Sequence, residues 1–496
     1  MPNLKSLAKE TAIYGLSSIV GRFLNYLLVP LYTAKIAAAS GGYGVITNVY
    51  AYTALFLVLL TYGMETTFFR YANKEGEDAM RVYSTVLVSV ATSSACFVAL
   101  VLAFLSPIAG FMGYEDHRSY VWVMALTVAI DAFQCIPFAY LRYRKKALKF
   151  AALKLLFIVA NIGLNLVYFV LLPYLYAHQM AMDVVDRIYD PEVGAGYVFY
   201  INLACTASIT FFLGKELRGF RYVFDRALWK RMMKYAMPIL VLGIAGILNQ
   251  TADKILYPFL DRSAEAHARL GIYGAASKIA MIMAMITQAF RYAYEPFVFG
   301  KAKEGDNRKT YAEAMKYFVI FTLLAFLVVT GWIDVIKYII GRDYWTGLGV
   351  VPIVMVAEIL MGVYFNLSFW YKLIDQTYWG AVFSGVGCAV LIAVNVMFVP
   401  KVGYVACAWA GVCGYGTATV LSYIVGQKRY KIDYPVRSIT THAVLAGVFF
   451  FLMKLAGGLP VVGRLAVNSL LILLFLGHIL YHDLRITDII RSRKQK

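Results

Sequence analysis

The side chains able to do chemistry in this chain are ionisable groups set inside long apolar runs. At mid-bilayer depth such a group costs roughly 2.5–3.5 kcal/mol on insertion scales, so those that persist usually face a protein interior or a watery cavity. Arg22 lies in the middle of one run, with Asn25 and Tyr26 three and four residues on, so all three fall near one helical face. A guanidinium there can engage two phosphate oxygens with directed hydrogen bonds. The other reading is a structural arginine paired to a buried acid such as Asp131. Gln250, Asp253 and Lys254 fall within one turn of a later run, and Lys278 lies two turns into the next. For Asp253 and Lys254 a plain interfacial ion pair is the alternative, and for Lys278 outward snorkelling. Arg291, Glu295 and Lys154 also read as interface anchors. Arg22, Asn25, Gln250, Lys254, Lys278 and Arg291 are therefore the candidates for holding an anionic headgroup. Asp131 and Glu358 sit mid-run, where a carboxylate's charged form is disfavoured unless paired, so each can take up a proton or coordinate Na⁺. With Asp253 they are the ion-coupling candidates, a structural role being the alternative.

The elements that must position these groups are membrane helices. Of 496 residues, 61% are hydrophobic and 15% charged, against about 45–50% and about 25% in soluble domains, which excludes a water-soluble globular enzyme. On a ruler of about 20 apolar residues per crossing, the chain divides into about fourteen spans. They run at roughly 11–32, 43–66, 82–105, 119–141, 150–173, 195–214, 234–258, 271–293, 314–340, 350–371, 378–399, 403–426, 438–456 and 461–481. With the N-terminus inside, the cytoplasmic segments hold 32 Lys and Arg and the outer segments 10, so the positive-inside rule places both termini in the cytoplasm. The formal charge of +19 is then mostly topological and argues against a nucleic-acid partner. The six cysteines lie in apolar runs without a Cys-x-x-Cys pair, and there is no phosphate-binding G-x-x-x-x-G-K-[ST] loop, so neither a metal nor a nucleotide cofactor is expected. The N-terminal apolar run is too long for a signal peptide and should be retained.

The spans repeat. Pro30 matches Pro258, Tyr43-Gly44 matches Tyr273-Gly274, Glu65 matches Glu295, Asp131 matches Glu358 and Asn165 matches Asn395, at offsets of 227 to 230. Gly196-Tyr197-Val198 matches Gly403-Tyr404-Val405 after a longer loop in the first half. This divides the chain into a six-helix bundle over 1–214, a basic cytoplasmic linker over 215–233, a second six-helix bundle over 234–430, and two further helices with a basic tail over 431–496. Even-numbered repeats enter from the same side, so their axis runs along the membrane normal, as in carriers that open a cleft to either face. The fold class expected is an all-α polytopic membrane protein.

Ala8-Lys9-Glu10-Thr11-Ala12-Ile13-Tyr14-Gly15, Gly21-Arg22-Phe23-Leu24, Val29-Pro30-Leu31-Tyr32-Thr33 and Gly42-Tyr43-Gly44-Val45 resemble the first two helices of polysaccharide transporters. These Wzx-like flippases belong to the multidrug/oligosaccharidyl-lipid/polysaccharide (MOP) exporter superfamily. Pro137-Phe138-Ala139-Tyr140-Leu141-Arg142, Asp253-Lys254-Ile255, Gly271-Ile272-Tyr273-Gly274 and Gly341-Arg342-Asp343-Tyr344 resemble the same family, so the likeness covers nearly the whole chain. It implies a non-enzymatic flippase of the inner (plasma) membrane. The cargo implied is a polyprenyl-pyrophosphate-linked oligosaccharide, an O-antigen, capsule or exopolysaccharide unit, moved from the cytoplasmic to the outer leaflet. Membrane lipids, a polysaccharide polymerase and glycosyltransferases are the partners implied. The drive expected is H⁺ or Na⁺ entry or the membrane potential, since moving one negative charge outward yields about 2.3 kcal/mol per 100 mV. A peptidoglycan-precursor flippase and a cation-coupled drug antiporter of the same superfamily are the alternatives. A membrane glycosyl polymerase or ligase would need a large external loop with catalytic Arg or His, and the outer loops are short.

Overall fold

The computed structural model describes residues 26–301 and 308–483. Arg22, Asn25 and most of the first expected span lie outside them, as does the Glu295 side chain. Among the described residues there is no β-strand, and twelve helices are long and apolar enough to cross a membrane, each overlapping an expected span.

Contacts divide the chain into one unit ending at Gly274 and another beginning at Ala275. The first contains α1 (Leu28–Lys35), α2 (Gly42–Thr61), α3 (Met64–Ala72), α4 (Ala79–Ala103), α5 (Arg118–Tyr143) and α6 (Ala147–Leu166). It continues with α7 (Gly196–Phe212), α8 (Arg226–Leu260) and the start of α9 (Ala266–Lys301). The second contains the rest of α9, then α10 (Arg308–Gly331), α11 (Val351–Leu367), α12 (Tyr378–Val402), α13 (Val405–Arg429), α14 (Val436–Leu455) and α15 (Val461–His482). The span expected at 195–214 corresponds to α7, which meets the short helices before it at a 117° bend.

Local chemistry explains the helix ends. Asp78 caps α4 by accepting from the Met80 amide, and Asp225 caps α8 by accepting from the Ala227 and Leu228 amides at 2.9 and 3.0 Å. The Leu228 amide is the main reason that the Asp225 carboxyl titrates below its usual range, with Arg81 2.6 Å away adding to the effect. After α6 the helix widens into a π turn over Val167–Leu171, because Pro173 has no amide hydrogen for the Phe169 carbonyl.

In the first unit Met64, Phe68, Val82, Tyr83, Val90 and Ile136 from α3, α4 and α5 close over Leu228 and Met232 of α8. At the other end α2 and α9 touch backbone to backbone. A β-carbon on Gly44 would run into the His267 carbonyl, and one on Gly271 would lie 2.9 Å from the Gly44 amide nitrogen, so only glycine permits the approach. In the second unit α12 and α13 use the same device at Gly387 and Gly414. The offset-matched Asn165 and Asn395 are both fully buried, and each donates to the carbonyl four residues back, Asn161 at 2.8 Å and Leu391 at 2.9 Å.

Candidate functional site

In the first unit α3, α5, α6 and α7 enclose a charged network within the spans. Asp131 of α5 lies near the Thr206 hydroxyl of α7, which donates to Asn202 at 3.4 Å, and feels the Lys154 ammonium of α6 as an opposing charge. Lys154 sits 4.1 Å over the Phe138 ring and also acts on Cys135. The Cys135 thiol points at the Glu65 carboxylate at 3.0 Å, and Glu65 is bonded in turn by Arg142. Asn202 and Tyr50, joined at 3.0 Å, and Gln134, which donates to the Thr206 carbonyl at 2.6 Å, complete the surroundings. The set holds two carboxylates, Glu65 and Asp131, and two cations, Arg142 and Lys154, on three helices, α3, α5 and α6. Lys154, expected as an interface anchor, is exposed on α6 and acts electrostatically on Asp131 of α5.

Asp253 and Lys254 near the end of α8 form an ion pair. Lys254 Nζ lies 2.9 and 3.0 Å from the Asp253 carboxylate and donates to the Gln250 carbonyl at 3.0 Å. The Tyr273 hydroxyl donates to the same carboxylate at 2.6 Å, and Asp253 is 7% exposed. Of the two readings open to this pair, the ion pair is the one present, while the Gln250 side chain is exposed. Beyond the span, burial pushes the Asp261 carboxyl up, but hydrogen bonds from Tyr257 and Ser263 and the Arg269 charge together hold it below its usual range. A depressed carboxyl stabilises the fold above the ordinary carboxylate pKa, so this contribution is lost as pH falls through the carboxylate range.

In the second unit Arg291 lies 4.8 Å over Phe365, whose ring also carries the Lys372 ammonium at 5.0 Å. Lys278 is half-buried on α9 and Glu358 half-buried mid-helix on α11. Between α10, α11, α13 and α14 lies a crevice of about 730 Å³ with no charged side chain in its lining, bounded by Leu323, Val356, Leu360, Trp409, Tyr423 and Phe450. Lys316 of α10 and His442 of α14 converge on Asp483 at the end of α15, with His442 Nε2 2.8 Å from Asp483 Oδ2. The His442, His478 and His482 rings follow at 5.2 and 4.6 Å. Sequence patterning alone did not reveal this cluster, or the one around Lys154. The one available signal for the former was that three of the six histidines fall in the last two helices.

Two sets of all-helical spans, each holding charged side chains, define a multi-pass helical membrane protein. The chain belongs to the polysaccharide biosynthesis protein family, whose model matches residues 7–293. The structure of the lipid II flippase MurJ in an inward closed conformation is similar at TM-score 0.72 and 14% identity, covering 95% of this chain and 98% of that one. An inward-facing multidrug resistance MATE family transporter of the MOP superfamily is similar at TM-score 0.63 and 15% identity, with coverages of 82% and 94%. The MATE multidrug transporter DinF-BH is similar at TM-score 0.61 and 15% identity, with coverages of 86% and 96%. At these identities the likeness is one of fold. No curated protein sequence matches the chain.

Proposed function

We propose that this protein is a flippase carrying a polyprenyl-pyrophosphate-linked oligosaccharide from the cytoplasmic to the outer leaflet of the inner membrane. Fourteen spans in a six, six and two arrangement and cytoplasmic termini complete the reading. The observation that carries it is the uncharged crevice of the second unit, whose 730 Å³ fits a long hydrocarbon chain and offers a charged solute no counter-charge. Arg22, Lys278 and Arg291 supply positive charge for the pyrophosphate, and the membrane potential favours its outward passage. A cation exporter would want an open acidic cavity, whereas Asp131 already has the Lys154 charge beside it.

Gly447 lines the crevice, and a β-carbon placed there meets no atom within 4 Å, so a large side chain can enter without moving the backbone. Gly447→Trp is expected to slow flipping at least tenfold while the melting temperature stays put. The assay is proteoliposomes loaded with lipid-linked glycan, with a membrane-impermeant lectin reporting the leaflet. Unimpaired flipping in that variant would remove the crevice from the mechanism.

Coupling to an inward H⁺ or Na⁺ is assigned to Asp131, with Glu358 as its repeat counterpart. Asp131→Asn is expected to flatten the dependence of flipping on a pH or Na⁺ gradient, and Glu358→Gln to do so to a smaller extent. If both variants keep the wild-type gradient dependence, coupling through this pair is wrong.

A further inference from the structure

We propose that the segment between α6 and α7 is an outer-face platform that binds uncharged sugar rings. The proposal rests on the flippase reading only for which side the segment faces. Gly196 follows Asn165 by 31 positions, whereas its repeat counterpart Gly403 follows Asn395 by 8, so the first repeat carries an ordered insertion that the second lacks. The insertion folds as two helical pieces, Leu172–Ala177 and Met182–Ile188, and a 3-10 turn over Pro191–Val193.

Four tyrosines join there into one ladder. Tyr168 and Tyr197 lie 4.7 Å apart, Tyr197 and Tyr189 stack at 5.8 Å with their planes 14° apart, and Tyr176 meets Tyr189 edge-on at 5.9 Å. The ladder is held from below: the Asp190 amide donates to the Tyr197 hydroxyl at 2.6 Å, and Asp190 accepts from the Glu192 amide at 2.9 Å. Tyr176 remains 41% exposed and Tyr174 beside it 55%. Asp183, Asp186, Asp190 and Glu192 are all exposed around the rings, against the single base Arg187.

An interfacial belt spreads single aromatic rings at headgroup level around the protein. Here the rings touch one another and carboxylates fringe them. Sugar rings present C–H faces that stack on tyrosine and hydroxyls that donate to carboxylates. The same carboxylates repel uronic acids and phosphates, so the fringe selects uncharged sugars by exclusion as well as attraction. A translocated glycan would thus be held by its sugars.

The test uses the full chain in nanodiscs of neutral phospholipid, with chitotriose and trigalacturonate as probes and saturation-transfer NMR as the readout. Chitotriose is expected to bind, and trigalacturonate at least fivefold more weakly. Tyr176→Ala/Tyr189→Ala is expected to weaken chitotriose at least fivefold at an unchanged melting temperature. Tyr176→Ala alone, at an exposed position, is the check if the double variant misfolds. Asp186→Asn/Asp190→Asn is expected to narrow the discrimination between the probes. Absence of chitotriose binding by the wild type, equal binding by wild type and tyrosine variants, or a preference for trigalacturonate would overturn the platform. A chain that flips lipid-linked glycan but ignores chitotriose loses only the platform. One that binds chitotriose yet flips nothing loses only the flippase reading.

Discussion

Asp483→Ala is expected to destabilise the second unit by about 3–5 kcal/mol, the cost of stripping one partner from a buried charge cluster. The Asp483 and His442 side chains are each 4% exposed and Lys316 is 19% exposed, so the ammonium left behind has little water to turn to. The carboxylate also joins three elements, α10, α14 and the end of α15, leaving Arg464–Asp334 and the Asn468 bond to the Gly331 carbonyl as other polar ties of α15. Thermal unfolding followed by a thiol-reactive dye suits this unit, because Cys388 and Cys407 are buried there and become reactive only when it opens. Lys316→Met added to Asp483→Ala is expected to recover part of the loss, since no unpaired ammonium remains. A single variant that melts with the wild type, or a double variant worse than the single, would show that the cluster contributes nothing to holding the helices.

Arg22→Ala is expected to leave the protein inserted and folded but to cut glycan export at least tenfold, with lipid-linked glycan accumulating on the cytoplasmic leaflet. Hydrogen bonds to a charged partner contribute about 1.5–3 kcal/mol each, so losing a bidentate phosphate contact is worth more than a factor of ten. Arg22→Lys is expected to fall between the two, because an ammonium keeps the charge and loses the planar fork. Accumulation is read by protecting the glycan from an impermeant glycosidase in sealed vesicles of known orientation. Wild-type export by the alanine variant would take Arg22 out of the mechanism.

Much of the architecture was legible in the residues. The twelve spans of the described chain overlap the runs read from hydropathy, and the Asn165 and Asn395 positions paired by offset make the same buried hydrogen bond. The charged positions were legible as positions but not as neighbours. Lys154 reads as an anchor because it lies one turn from the start of its run, and only the fold shows it on the Phe138 ring within electrostatic reach of Asp131. Asp253 and Lys254 are neighbours in sequence, but only the fold shows Tyr273 and the Gln250 carbonyl completing their ion pair.

The sequence by itself therefore determined that this is a polytopic helical membrane protein, because span length and amphipathic spacing are sums over contiguous residues that water and lipid judge locally. Only the tertiary structure decided which charges meet. Each residue turns a helix by about 100°, so one residue's difference in how two helices face each other replaces one partner with another. The Lys154 network, the Asp483 cluster and the tyrosine ladder all join residues whose proximity no local rule contains.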